Sequence, residues 1–213
     1  MKLYVSAGAS SQAPHIAFRE AGIEIDLISV DLRKQVTSEG QDFTSLNPFG
    51  YVPLLEFDDG ATLREVTAIL LFAADMGSNA MLAPIRGTLE RFRLIEWLNF
   101  LSSEMHQGVK SLVRANLTEE IDRARLRLEK RFAWIDLQLF ARPFLLGRNY
   151  SVADIYLWVM SNWFQAAWGD SVFNLGVDLM GFENIHRWHD GIAGREAVQA
   201  AVDFERRLIL PAH

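Results

Sequence analysis

Over the first 80 residues, apolar positions come in short runs broken by turn residues; beyond them they recur at helical spacing. Leu3-Tyr4-Val5 is a short, β-prone apolar run and predicts a strand, and Ser6 to Ser11 is a loop of small residues. Pro14 suits the first turn of a helix that continues through Ile16, Ala17 and Glu20 and stops at Gly22. Ile25 to Val30 predicts a second strand, Asn47-Pro48-Phe49-Gly50 a turn, and Val52 to Phe57 a third strand. Asp58-Asp59-Gly60 predicts a hairpin into Thr62-Leu63, and Val66 to Asp75 returns to helix. The order β-α-β, then β-β-α, describes a small mixed α/β layer.

From Gly87 the strand signals vanish. A boundary therefore falls near Asn79 to Pro84, dividing an α/β domain over 1–80 from an all-helical domain over 87–213. Ile121, Leu128, Phe132, Ile135 and Leu139 form one helical stripe. Ser151-Val152-Ala153-Asp154 is a capping-box variant that opens a further helix. Trp97, Trp134, Trp158 and Trp188 fall in apolar helical patterns and are expected in the core.

Of the 213 residues 50% are hydrophobic, enough for a buried core, and the net charge of −6 gives no basic surface for nucleic acid. The chain has no cysteine, so any sulfur chemistry takes its sulfur from a ligand. No His/Cys cluster suggests a metal. Met1-Lys2-Leu3-Tyr4-Val5 runs directly into a strand, without a signal-peptide pattern, and no apolar run approaches the roughly 18 residues of a membrane span. A soluble, cytoplasmic protein without membrane partners is the expectation.

Five stretches in register carry a resemblance: Met1 to Tyr4 with Gly8 to Ala17; Asn47 to Leu55; Leu63-Arg64-Glu65 before an apolar helix; Asn99 to His106; and Tyr150 to Asp154. Together they resemble the glutathione transferases, most closely the bacterial beta class. The resemblance implies a thioredoxin-like N-terminal domain, a helical C-terminal domain, glutathione as co-substrate and a homodimer. Val52-Pro53 looks like the family's cis-proline turn, with the Val52 backbone pairing with the cysteinyl part of glutathione. Glu65 stands where relatives place the acid that meets the γ-glutamyl ammonium. Val66 replaces the serine that follows it, leaving the helix-start amides, and Thr67 as a stand-in, for the ligand's carboxylate.

A second departure lies in the first loop, where beta-type enzymes carry cysteine then serine and this chain has Ser10-Ser11. Ser10 cannot form a mixed disulfide, but either hydroxyl can donate to a bound thiolate near the positive end of the first helix. The spacing of Asn99, Ser103 and His106 predicts one shared helix face. By resemblance these residues and Glu104 contribute to the site, some of them across a dimer interface, with His106 near the sulfur. Trp163, Phe164 and Trp168 lie where the family builds its pocket for a hydrophobic electrophile. The leading expectation is conjugation of the glutathione thiolate to a small electrophile. The alternatives are a non-catalytic binding module, for which Ser10 and Val66 speak, and a glutathione-dependent peroxidase or disulfide reductase.

Overall fold

The computed structural model describes residues 1–77, 82–164, 175–179 and 181–209. The chain forms two compact units, Met1–Ala80 with Arg195–His213, and Met81–Gly194.

In the first unit, β1 (Lys2–Val5) leads through the loop into α1 (Gln12–Glu20) and then to β2 (Asp26–Asp31), β3 (Val36–Thr37) and the single-turn α2 (Phe43–Leu46). β4 (Leu54–Glu56) and β5 (Thr62–Arg64) form a hairpin, and α3 (Val66–Met76) follows. The strand order is β3-β2-β1-β4-β5, with β1 and β2 parallel and every other pair antiparallel. A parallel pair requires a crossover, and α1 supplies it. Side chains alternate along β1, so Tyr4 faces a cluster of Ile28, Val30, Phe43, Val52 and Leu54 while Leu3 and Val5 face the other way. Ile16, Ala17 and Phe18 of α1 and Ile69, Leu70 and Ala73 of α3 are fully buried. The ends of these helices meet at Gly77, where a Cβ would come within 2.5 Å of the Ala21 Cβ.

The sequence pattern does not predict β3 or α2. β3 is only two residues long, within a polar stretch. α2 is capped by Asp42, whose carboxylate accepts from the Thr44 amide at 2.9 Å, and is too short to show a periodic face.

The second unit is helical. A rod runs through α4 (Leu89–Phe100), a π-helical segment over Leu101–His106, and α5 (Gln107–Arg114). Thr88 caps the rod by accepting from the Arg91 amide at 3.2 Å. α6 (Thr118–Gln138) buries Leu128, Phe132 and Ile135 of the expected stripe, with Leu139 just beyond its end; Ile121 is only half-buried. α7 (Val152–Ser161) is buried on every side, and α8 (Glu183–Ala193) completes the unit. Asp154 is the polar centre of this core. Its carboxylate accepts from the amides of Ser151 and Leu145 and from the Trp188 indole, at 2.9–3.0 Å. Trp97, Trp158 and Trp188 are buried as expected, whereas Trp134 is 43% exposed, its ring against Trp97 and Phe100.

The last helix, α9 (Glu196–Ile209), belongs to the first unit and not to the helical one. It packs on α1: Phe204 meets His15 edge-on at 5.3 Å, and Glu20 pairs with Arg195, the residue before α9. Helical periodicity alone does not reveal which unit a helix joins. No helix among the described residues is long and apolar enough to cross a membrane.

Candidate active site

The loop between β1 and α1 separates its two serines. Ser11 is fully buried, and its hydroxyl accepts from the Ser6 amide at 3.1 Å and donates to the Ser6 carbonyl at 3.3 Å. That hydroxyl fastens the loop to itself and has spent its donor. Ser10 is 6% exposed, and among the described residues its hydroxyl has no hydrogen-bond partner. Its donor is free, at the start of a helix whose first amides carry partial positive charge.

Beside this loop in the sheet order, the Val52-Pro53 bond is cis, as expected. The preceding turn is built on buried Asn47, whose carbonyl accepts from the Gly50 amide at 2.9 Å and whose side-chain amide donates to the Tyr51 carbonyl at 2.7 Å. Gly50 has φ of +65°, and a Cβ there would meet the Gln35 side chain at 2.8 Å.

Glu65 precedes α3 with φ of +69°, a left-handed conformation that costs a non-glycine residue about 1–3 kcal/mol. Its carboxylate is exposed and accepts from the Tyr51 hydroxyl at 2.9 Å. Burial, and then this carboxylate, raise the Tyr51 pKa, so the phenol stays a donor. Tyr51 is a neighbour that the motif reading misses; its position just before Val52-Pro53 is the signal that could have found it. Val66 is buried and offers no donor, while Thr67 behind it is half-buried. The free first-turn amides of α3 and the Glu65 carboxylate thus present opposite polarities at one corner, which suits an amino acid's zwitterionic end.

In the helical unit the expected common face of Asn99, Ser103 and His106 is not formed. The π-helical segment adds to the turn and rotates His106 away from the other two. Asn99 and Ser103 are exposed, and the Ser103 hydroxyl donates to the Asn99 carbonyl at 2.8 Å. Glu104 is bound within the unit by Arg131. His106 instead joins Tyr156 and Trp163: its Nδ1 lies 2.7 Å from the Tyr156 hydroxyl, and its ring is 5.3 Å from the Trp163 ring. Burial, and secondarily Lys110, pull its pKa down to about 4, so the ring is neutral at pH 7. A Tyr156 hydroxyl donating to Nδ1 puts the imidazole proton on Nε2. Phe164 is 5% exposed and packs edge-on against Phe132, serving the core. Trp168 lies outside the described residues.

Comparison with known proteins extends over nearly the whole chain. Residues 9–76 match the family model of the glutathione S-transferase N-terminal domain, and residues 118–191 that of the C-terminal domain. Glutathione S-transferase GstA of Escherichia coli O157:H7 is 35% identical, with 96% of this chain and 98% of that one covered. Among solved structures, a sphingomonad glutathione S-transferase complexed with glutathione is 39% identical with a TM-score of 0.87, over 97% of this chain and 99% of that one. A bacterial beta-class enzyme from Sphingomonas chungbukensis is 41% identical with a TM-score of 0.87, over 96% and 98%.

Proposed function

This chain belongs to the glutathione S-transferase family, and from that premise we propose that it joins the thiolate of glutathione to a small hydrophobic electrophile. The γ-glutamyl ammonium meets Glu65, held by Tyr51, and the adjacent carboxylate meets the first amides of α3. The backbone of Val52, beside Pro53, pairs with the cysteinyl part of the ligand. Ser10 donates its hydrogen bond to the sulfur. In the helical unit, Trp163 beside His106, 7% exposed, is the apolar group we assign to the electrophile.

The observation that carries this reading is the free Ser10 hydroxyl beside a Ser11 hydroxyl already spent on Ser6. A thiol of pKa about 8.5 is roughly 3% ionised at pH 7; lowering it by about two units makes it mostly thiolate. That shift is about 2.7 kcal/mol, within the range of one charge-assisted hydrogen bond plus a helix terminus. The sulfur then forms its bond to an electrophilic carbon, and the displaced group leaves or the adduct takes up a proton. The thiol proton goes to solvent.

A calorimetric titration with glutathione followed by a chlorodinitrobenzene conjugation assay tests the proposal. Saturable binding with turnover is expected, and Glu65→Ala should weaken binding at least about tenfold. No binding by the native chain would refute the assignment. Binding without turnover would favour the second reading, a binding module, to which buried Val66 in place of a hydroxyl lends support.

A further inference from the structure

We propose a second ligand site in the helical unit: a hollow between α5 and α6 that takes a small polyanion, its carboxylate or phosphate groups held by Arg114, Arg123 and Arg127. None of the residues lining it is among those assigned to glutathione or the electrophile, and it does not rest on that assignment.

The hollow follows from side-chain size. α5 and α6 come close together at buried Gly108, where a Cβ would lie 2.8 Å from the Leu128 Cδ2. Nearer the tip of this helix pair the lining residues are Ser111 on α5, Ala115 just after it and Ala124 on α6. Side chains this small do not fill the space between the helices. They leave a cavity of about 270 Å³, near the lower end of the range for small-molecule sites.

Three guanidinium groups line the cavity against one carboxylate, that of Glu120, which leaves two positive charges in excess on a chain of net charge −6. Among the described residues none of the three guanidiniums has an ion-pair or hydrogen-bond partner, so Glu120 neutralises none of them. The Ser111 hydroxyl is spent on the Gln107 carbonyl at 2.9 Å, so the guanidinium N–H groups are the lining side-chain donors that remain. Arg114 by itself has a structural reason, since it stands in the last turn of α5 at the negative end of the helix dipole. Arg123 and Arg127 have none. They are four apart on one face of α6, and a like-charged pair at that spacing disfavours the helix. Arg131, the next residue of the same stripe, shows how such a charge is ordinarily met: Glu104 binds it. A ligand with two or more oxyanion groups gives Arg123 and Arg127 what Glu104 gives Arg131, through paired N–H···O bonds that match the guanidinium fork. The excess of two charges selects a dianion or higher over a monoanion.

The test is calorimetric titration of the whole chain with pyrophosphate and with citrate in low-salt buffer. It compares the wild type with the double variant Arg123→Gln/Arg127→Gln, with Ala124→Leu and with Arg148→Gln. The wild type should bind one anion per chain, more weakly at about 0.15 M salt, and the tighter probe tells phosphate from carboxylate recognition. The double variant should lose affinity about tenfold or more. Its ligand-free melting temperature should not fall, because a like-charge pair has been removed. Ala124→Leu keeps every charge and fills the hollow, so it should lose binding to a similar extent. Arg148→Gln alters an exposed arginine outside the hollow and should bind as the wild type does. Hydrogen exchange of the wild type with and without anion locates the site without any variant, and slowing over residues 108–127 is expected. Absence of saturable binding of both anions by the wild type overturns the proposal, as does unchanged exchange over 108–127 in the bound state. Binding that survives in Ala124→Leu, or that falls equally in Arg148→Gln, also overturns it, since either means attraction to surface charge and no built site.

Discussion

A single hydroxyl separates the roles of the two serines at the head of α1. Ser11 closes the loop on Ser6, so Ser11→Ala should act on stability, costing about 1 kcal/mol in urea unfolding by removing the partner of the half-buried Ser6 amide. At the other end of the proposed ligand, Val66 is a buried apolar residue beside free helix amides. Val66→Ser should restore a donor and tighten glutathione about tenfold or more, read by the same calorimetric titration. An unchanged dissociation constant would mean that the α3 amides alone satisfy the carboxylate. Glu65 adds a residue-scale constraint of its own, since a left-handed non-glycine persists only where its surroundings hold it. Removing the Tyr51 hydroxyl with Tyr51→Phe should therefore weaken glutathione binding more than it weakens the fold.

Among the elements, α7 shows how one polar residue can organise an apolar helix. Asp154→Ala would strand the Leu145 and Ser151 amides and the Trp188 indole, and should cost about 3–5 kcal/mol in denaturant unfolding. The start of this helix is legible in the sequence because Ser151 and Asp154 are three apart, a local signal. The same holds for β1, α1, α3 and the β4–β5 hairpin, whose periods and turn residues lie within short windows. What escapes the sequence is non-local or breaks the assumed period. The π-helical segment over Leu101–His106 turns His106 from Asn99 and Ser103 toward Tyr156, and nothing in the residue spacing announces it. The placement of α9 against α1, and with it the approach of Glu205 to Gly8, depends on tertiary packing alone.

At the scale of the molecule, the largely buried groups His15, His106, His189, Asp154 and Glu205 make stability depend on pH. Burial lowers His15, His106 and His189 to about 4, whereas it raises Asp154 to about 6 and Glu205 to about 8. A raised acid keeps its proton in the native state, so Glu205 makes stability fall as pH rises toward 8. A depressed histidine stays unprotonated when folded, so the three histidines make stability fall as pH drops from about 6.5 toward 4 and outweigh the two acids there. Urea midpoints should peak near pH 6–7 and decline on both sides, and Glu205→Gln should flatten the alkaline side. Family resemblance also motivates a homodimer. Sedimentation at micromolar concentrations should give about twice the chain mass of 24.2 kDa, and a mass near 24.2 kDa would contradict it.

The account turns on a glutathione thiol activated by Ser10, and the ultraviolet thiolate absorbance of bound glutathione against pH tests this most directly, in the wild type and in Ser10→Ala, Ser11→Ala and His106→Ala. The wild type should show a thiol pKa depressed by about two units from about 8.5, and Ser10→Ala should raise it by at least about half a unit. Ser11→Ala should move it less. His106→Ala should leave it nearly unchanged, because a ring with a pKa near 4 carries no charge at working pH. A wild-type pKa at the solution value, or one that shifts with His106→Ala and not with Ser10→Ala, would contradict the account.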